Sequence, residues 1–511
     1  MLTELGEIAE TLFMTVYTVM LVLVSLYGFH RYVLVYLYLR HRRQSPKPAG
    51  RFDELPVVTI QLPMYNEREV AKRIIEKACQ INYPIEKLQI QVLDDSTDDT
   101  GEIARQAVAD ASEKGFDIEY IHRPDRSGYK AGALANGLRT AKGEFVAIFD
   151  ADFVPRAEFL NEAIQYFTDS KVCVVQSRWV HLNRRHSLLT QTQAILLDGH
   201  FAIEHVARNR SDRFISFNGT GGIWRREAIE DAGGWHGDTL TEDLDLSYRA
   251  QMKGWKFVFL RELTSPAELP PEILGFKNQQ FRWTKGGAQT AIKMLPKVML
   301  SKLPLKVKVE SFFHLTCFTL HLYMLILVLC LFPAMCIKSV PLEAGSMWRG
   351  MFDMTVFTLA TLSASVFYIT GQVELFRDWR SVLKYLPMLM ALGVGICVSN
   401  SKAILEAFFG KQSEFVRTPK YGGKEPGSRL PVRQVGPKPK LRLLPYLELG
   451  FGLYMVFCAV CSLISLRAAF TTPFLVIFAF GFLYVSVLTF MGARSPRVSE
   501  SPKVLTSQVR R

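Results

Sequence analysis

At 511 residues, with 49% hydrophobic side chains and 35 phenylalanines, the chain is too long and too apolar for one soluble domain. Its net charge of +13 sits mostly beside apolar runs, which suits anionic lipid headgroups and argues against nucleic acid as a partner. Eight cysteines form neither a disulfide framework nor a zinc set, since Cys458-x-x-Cys461 has no second pair.

The chain opens on an apolar run, Leu12 to Leu39, long enough to cross a bilayer. Glu4, Glu7 and Glu10 precede it and no A-x-A-like site follows, so it reads as a retained span and not as a signal peptide. The basic run Arg40 to Arg51 then predicts, by the positive-inside rule, that the chain beyond residue 40 is cytoplasmic. Residues 1–50 are expected to form this span and its basic linker.

Residues 51–265 alternate strand-like and helix-like patterns. Strands are predicted over Val57 to Leu62, Leu88 to Leu93, Phe116 to Ile121, Val146 to Phe149 and Val172 to Trp179. Helices are predicted over Glu67 to Gln80, Asp99 to Lys114 and Gly128 to Ala141. That alternation implies an α/β domain with a doubly wound, mostly parallel sheet. Polar signatures fall at the strand ends, where such sheets bind ligands. Asp94-Asp95 ends one strand. Asp150 and Asp152 end another and share one face of an extended segment. Two adjacent carboxylates repel, and a divalent cation relieves that repulsion. Thr241-Glu242-Asp243 opens a helix that Thr241 can cap.

Residues 266–307 read as a pair of amphipathic interfacial helices carrying Gln279-Gln280-Phe281-Arg282-Trp283. Spans are expected within 308–372, from Phe312 to Ile337 and Phe352 to Thr370, and within 443–493, from Leu443 to Leu466 and Phe470 to Met491. Between them, 373–442 is expected to hold an interfacial or re-entrant segment, 383–410, because a sixth span would place the basic stretch Lys411 to Arg442 outside. A basic cytoplasmic tail, 494–511, closes the chain. This gives five spans, with the α/β domain on the cytoplasmic side of an inner, plasma or Golgi-type membrane.

The motifs YNE (Tyr65 to Glu67), LDD (Leu93 to Asp95), GYKAGAL (Gly128 to Leu134), DAD, FNGTGGIWR (Phe217 to Arg225), TED and QQFRW stand in one order. Together they resemble the processive inverting β-glycosyltransferases of family 2, closest to cellulose-synthase-like mannan and glucan synthases. The resemblance implies a GT-A-like domain inserted between transmembrane helices. It implies a nucleotide sugar, UDP-glucose or GDP-mannose, contacted by Asp95 at its base or ribose and by Lys130 at its phosphates. Asp150 and Asp152 would hold Mg²⁺ or Mn²⁺ on the diphosphate. Asp243 would be the general base, Gln279 would support the donor pocket, and Arg282 would offer its fork of donors to the phosphates. Trp283 would stack an acceptor sugar, with Gly219 and Thr220 beside it. Phe415-Val416-Arg417-Thr418-Pro419-Lys420 resembles that family's gating loop, with Phe415, Thr418 and Lys420 in the matching places and Arg417 departing from the pattern.

These implications describe a β-1,4-glycan synthase that passes its product through its own spans, with the growing polysaccharide and the bilayer as partners. An accessory export subunit stays open as a further partner. His314, His321, Tyr323, Tyr368, Gln372 and Tyr454 are candidate path residues. Two other readings stay open: a non-processive lipid glycosyltransferase, and a transport or scaffold protein with an inactive transferase domain. No acid of the DAD or TED sets is missing, which weighs against the last.

Overall fold

The computed structural model describes residues 2–338, 344–411, 420–422, 443–464 and 471–494. Seven strands form one sheet: β1 (Val58–Met64), β2 (Leu88–Asp94), β3 (Asp117–His122), β4 (Phe145–Ile148), β5 (Val172–His181), β6 (Gly222–Arg225) and β7 (Lys256–Ala267). Their order is β3-β2-β1-β4-β6-β5-β7. β6 runs antiparallel to β4 and β5, and every other pairing is parallel.

Side chains on β4 alternate between two cores, as the strand period requires. Phe145 and Ala147 join one core with Ile60, Ile74 and Phe159. Val146 and Ile148 join the other with Trp224, Phe257 and Leu246. Leu34, Leu37 and Tyr38 of the first long helix pack into that second core, so the sheet domain is seated directly on a membrane helix. β1 and β2 are buried along their whole length, as central parallel strands are. Their buried polar residues pair with each other: Thr59 Oγ1 donates to Gln89 Oε1 at 2.8 Å, and Gln61 Nε2 to Gln91 Oε1 at 3.0 Å.

Among the described residues, five helices are long and apolar enough to cross a membrane: Glu4–His41, Leu305–Ile337, Thr355–Phe376, Leu444–Ile464 and Thr472–Arg494. The chain is a membrane protein. The segment expected to be re-entrant forms two helices, Leu386–Gly395 and Cys397–Phe408, bent by 43°.

Two expectations are corrected. The pair of helices anticipated across 266–307 is one helix, Ile273–Leu300, with Pro296 inside its last turns. Two of its lysines do not face headgroups. Lys277 is buried on Glu448 at 2.7 and 2.8 Å, and Lys285 on Glu406 at 2.9 Å. A buried ammonium requires such a partner, and both acids come from the C-terminal helices, far away in sequence. The second correction concerns Thr241. It makes no capping bond; its hydroxyl meets Thr290 Oγ1 at 3.1 Å, tying the TED helix, Glu242–Met252, to the long interfacial helix.

Candidate active site

The carboxyl ends of the parallel neighbours β2, β1 and β4 lie side by side at one edge of the sheet. The chain leaves β4 after Ile148 and turns, with Phe153 N–H donating to Asp150 O at 3.0 Å. That turn presents Asp150 and Asp152. Lys130 Nζ contacts Asp150 Oδ1 and donates to Gly219 O at 2.8 Å. Lys420 Nζ lies 2.5 Å from Asp152 Oδ2. Burial works to lower the Lys420 pKa, and the acids around it, Asp152 first, override that and raise it. Two hard carboxylates at a strand end are the donor set Mg²⁺ or Mn²⁺ prefers. The ammonium on Asp152 shows that a cationic group is accommodated there, so the residues fit a divalent ion.

Asp243 lies in the first turn of its helix. Burial is the first cause, and the neighbouring Glu242 carboxylate the second, of a pKa raised to about 7. The residue is half-buried by surface and lines a cavity. Gly219 makes the approach possible. Its φ is +80°, a left-handed conformation that favours glycine, and a Cβ there would stand 3.0 Å from Asp243 Oδ2 and 3.5 Å from Lys130 Nζ. Asp243 and Lys130, with Asp150 held by Lys130, therefore converge around one glycine.

Trp283, Gln279 and Asp243 line a cavity of about 530 Å³ that continues between the membrane helices. Burial raises the pKa of Glu242, opposed by the charges of Lys130 and Arg282 nearby. Of the candidate path residues, His314, His321 and Tyr368 line this cavity and Tyr323, Gln372 and Tyr454 do not. Gln372 instead donates to Asp198, and the Tyr454 hydroxyl to Leu329 O. Phe415 and Thr418 lie outside the described residues.

Two residues have different surroundings from those expected. Thr220 is buried, and its hydroxyl accepts from Asp150 N–H at 2.8 Å. It braces the turn that carries Asp150 and Asp152. Both Asp95 oxygens are held by Arg123, at 2.8 and 2.5 Å. Arg123 carried no signal in the sequence, because a lone arginine after a strand resembles any surface cation. A set that could hold a metal by its atom types, His236, Asp238 and Asp245, is bridged by Lys293, 2.9 Å from both acids. That lysine already neutralises the two acids.

Residues 56–286 match the family described as glycosyltransferase like family 2. Similar proteins from Arabidopsis thaliana include the following three. Probable glucomannan 4-beta-mannosyltransferase 10 is 39% identical over 319 residues, 58% of each chain. In that match the chain spans little more than half of the relative's length. Glucomannan 4-beta-mannosyltransferase 9 is 35% identical over 423 residues, 79% of this chain and 75% of that one. Probable glucomannan 4-beta-mannosyltransferase 15 is 32% identical over 504 residues, 93% and 89%. Among solved structures, a mannosyltransferase from Pyrobaculum calidifontis in complex with GDP-Man and Mn²⁺ superposes with a TM-score of 0.52 at 19% identity, covering 78% of this chain and 100% of that chain. That likeness shows the GT-A-like fold. The chain belongs to glycosyltransferase family 2, in the cellulose-synthase-like group that includes the glucomannan 4-beta-mannosyltransferases.

Proposed function

We propose that the protein is a processive, inverting mannosyltransferase that elongates a β-1,4-linked glycan with mannose from GDP-mannose and feeds the product into its membrane cavity. GDP-mannose is favoured over UDP-glucose by the names of the relatives and by the GDP-Man complex of the structural neighbour. The observation that carries the reading is the position of Asp243: beside Lys130 and Gly219, and at the head of a cavity that runs on between membrane helices.

In this reaction the 4-hydroxyl of the acceptor's terminal sugar attacks C1 of the donor. The O4–C1 bond forms, the C1–phosphate oxygen bond breaks, and Asp243 takes the hydroxyl proton. A base with a pKa near neutrality is matched to that task. Lys130 and Arg282 bind and neutralise the diphosphate. A divalent ion held by Asp150 and Asp152 would supply further charge stabilisation to the departing nucleotide. Gln279 supports the donor pocket, and Asp95, held by Arg123, orients the base or ribose. Trp283 gives the acceptor ring a flat apolar face. Lys420, whose ammonium lies on Asp152, closes the donor side of the site and limits hydrolysis.

The division of labour follows the chain. Residues 51–265 carry catalysis on the cytoplasmic face of the membrane, 266–307 carry the acceptor platform, and the spans carry the exit. The test is purified protein in detergent, supplied with Mg²⁺ or Mn²⁺ and with GDP-mannose or UDP-glucose separately. Nucleotide release and linkage analysis read donor and bond. Using this chain alone also shows whether an accessory export subunit is needed.

A further inference from the structure

Residues 215–219 end on the glycine that faces Asp243, and they belong to no helix or strand. Buried backbone groups outside regular elements still require partners. Ile215 and Phe217 are fully buried, and side chains of the helix Glu242–Met252 serve them. Gln251 Oε1 accepts from Ile215 N–H at 3.1 Å, and Gln251 Nε2 donates to Ile215 O at 2.7 Å. Ser247 Oγ accepts from Phe217 N–H at 2.9 Å and donates to the Asp243 carbonyl, one turn back in its own helix, at 2.6 Å. Gln251 Nε2 also donates to Ser247 O at 2.9 Å, so the two side chains are braced on one another's turn.

The spacing explains why these contacts fall in step. Asp243, Ser247 and Gln251 are four apart and form one stripe along the helix. Gly219, Phe217 and Ile215 are two apart. Four helical residues advance about 6 Å, and two residues of extended chain advance about 6.6 Å. The two periods match, which allows a ladder of three rungs: Gln251 on Ile215, Ser247 on Phe217, and Asp243 opposite Gly219.

The top rung differs from the other two. Asp243 Oδ1 accepts from Leu244 N–H at 2.8 Å. Oδ2 has no hydrogen-bond partner among the described residues and is the oxygen that a Cβ on Gly219 would approach to 3.0 Å. The rungs below therefore fix where that oxygen stands. The loop has its own attachment to the sheet, since Asn218 N–H donates to Gln176 Oε1 of β5 at 3.0 Å. Cutting a lower rung leaves the loop on the sheet and frees its register against the helix.

We propose that Ser247 and Gln251 are positioning residues for the transfer, setting the register between the helix that carries the base and the loop that ends at Gly219, and so aiming Asp243 Oδ2 at the acceptor hydroxyl. Neither side chain touches substrate. This role rests on the transferase reading with Asp243 as base, and adds to it what holds that base on target.

The test uses full-length protein in nanodiscs with Mn²⁺ and each nucleotide sugar in turn. Ser247→Ala removes the middle rung, and Gln251→Met removes the lowest at similar volume; they sit on different turns, so a folding failure of one leaves the other readable. Each is expected to lower kcat by about tenfold, as a misaligned base does, while the KM for the nucleotide sugar stays within about twofold of the parent. Burial is the first cause of the raised Asp243 pKa, so a loosened register that admits water moves the rising limb of the pH profile to lower pH. Ser247→Thr keeps the hydroxyl and is expected to recover most of the lost rate. A kcat within about twofold of the parent in both Ser247→Ala and Gln251→Met would overturn the positioning role, and so would Ser247→Thr turning over more slowly than Ser247→Ala, the order that packing alone predicts. A parent that releases no nucleotide from either donor would overturn the transferase reading and this role with it.

Discussion

The Asp243 carboxylate and the Lys130 ammonium face the same glycine, with a Cβ on Gly219 falling 3.0 Å from one and 3.5 Å from the other. A carboxylate and an ammonium held this close leave no room for a side chain between them. Gly219→Ala is therefore expected to reduce kcat by at least about tenfold, through strain at a positive φ and displacement of Asp243. Thermal unfolding followed alongside turnover separates loss of the site from loss of the fold.

The raised pKa of Asp243 has opposite consequences for activity and for stability. The base works when ionised, so kcat/KM rises with pH up to about 7 and then levels off. For stability, the folded protein holds a proton that the unfolded chain has lost above its ordinary pKa of 3.8. Stability thus falls as pH rises through that window. Asp243→Asn is expected to abolish transfer, by about 10²-fold or more, yet to unfold no more readily than the parent at pH 8. Denaturation midpoints at pH 5 and pH 8 check the sign: the parent-minus-variant difference becomes less favourable to the parent as pH rises.

Removing divalent ions with EDTA is expected to stop GDP release, and Mn²⁺ or Mg²⁺ to restore it. Asp152→Asn is expected to raise the metal concentration required for half-maximal rate. The Lys420 ammonium lies on the same Asp152 oxygen, so Lys420→Gln is expected to tighten Mn²⁺ binding to nucleotide-free protein, as read by the loss of the free Mn²⁺ electron paramagnetic resonance signal.

Lys277–Glu448 anchors the helix bearing Gln279, Arg282 and Trp283 to the span Leu444–Ile464, and Lys285–Glu406 anchors it to the bent segment's helix Cys397–Phe408. Removing one partner leaves an unpaired buried charge at a cost of about 3–5 kcal/mol. Glu448→Gln is expected to lower the unfolding temperature in detergent substantially. Replacing both members, Lys277→Met with Glu448→Leu, is expected to recover most of that loss.

The sheet was legible because its central strands are buried on both faces and read as short apolar runs closed by acids. β6 and β7 were not: Gly222–Arg225 is four residues long, too short for a period to show, and Lys256, Arg261 and Glu262 interrupt the apolar pattern of Lys256–Ala267. Asp150, Asp152, Asp243 and Trp283 stand out because acids at strand ends and a tryptophan beside an arginine are conspicuous in one dimension. Arg123 and Ser247 are not conspicuous, because each acquires its surroundings from a contact distant in sequence. The interfacial helix shows the same limit. Its lysines suggested a headgroup-facing side until Glu406 and Glu448, more than a hundred residues away, supplied buried partners.

The most direct test of the central claim is incorporation of labelled mannose from GDP-mannose into ethanol-insoluble product by the purified protein, followed by digestion with a β-1,4-mannanase. The account predicts polymer from the parent that the mannanase degrades, and none from Asp243→Asn. Label extracted into organic solvent as a short glycolipid, or polymer formed equally by Asp243→Asn, would contradict it.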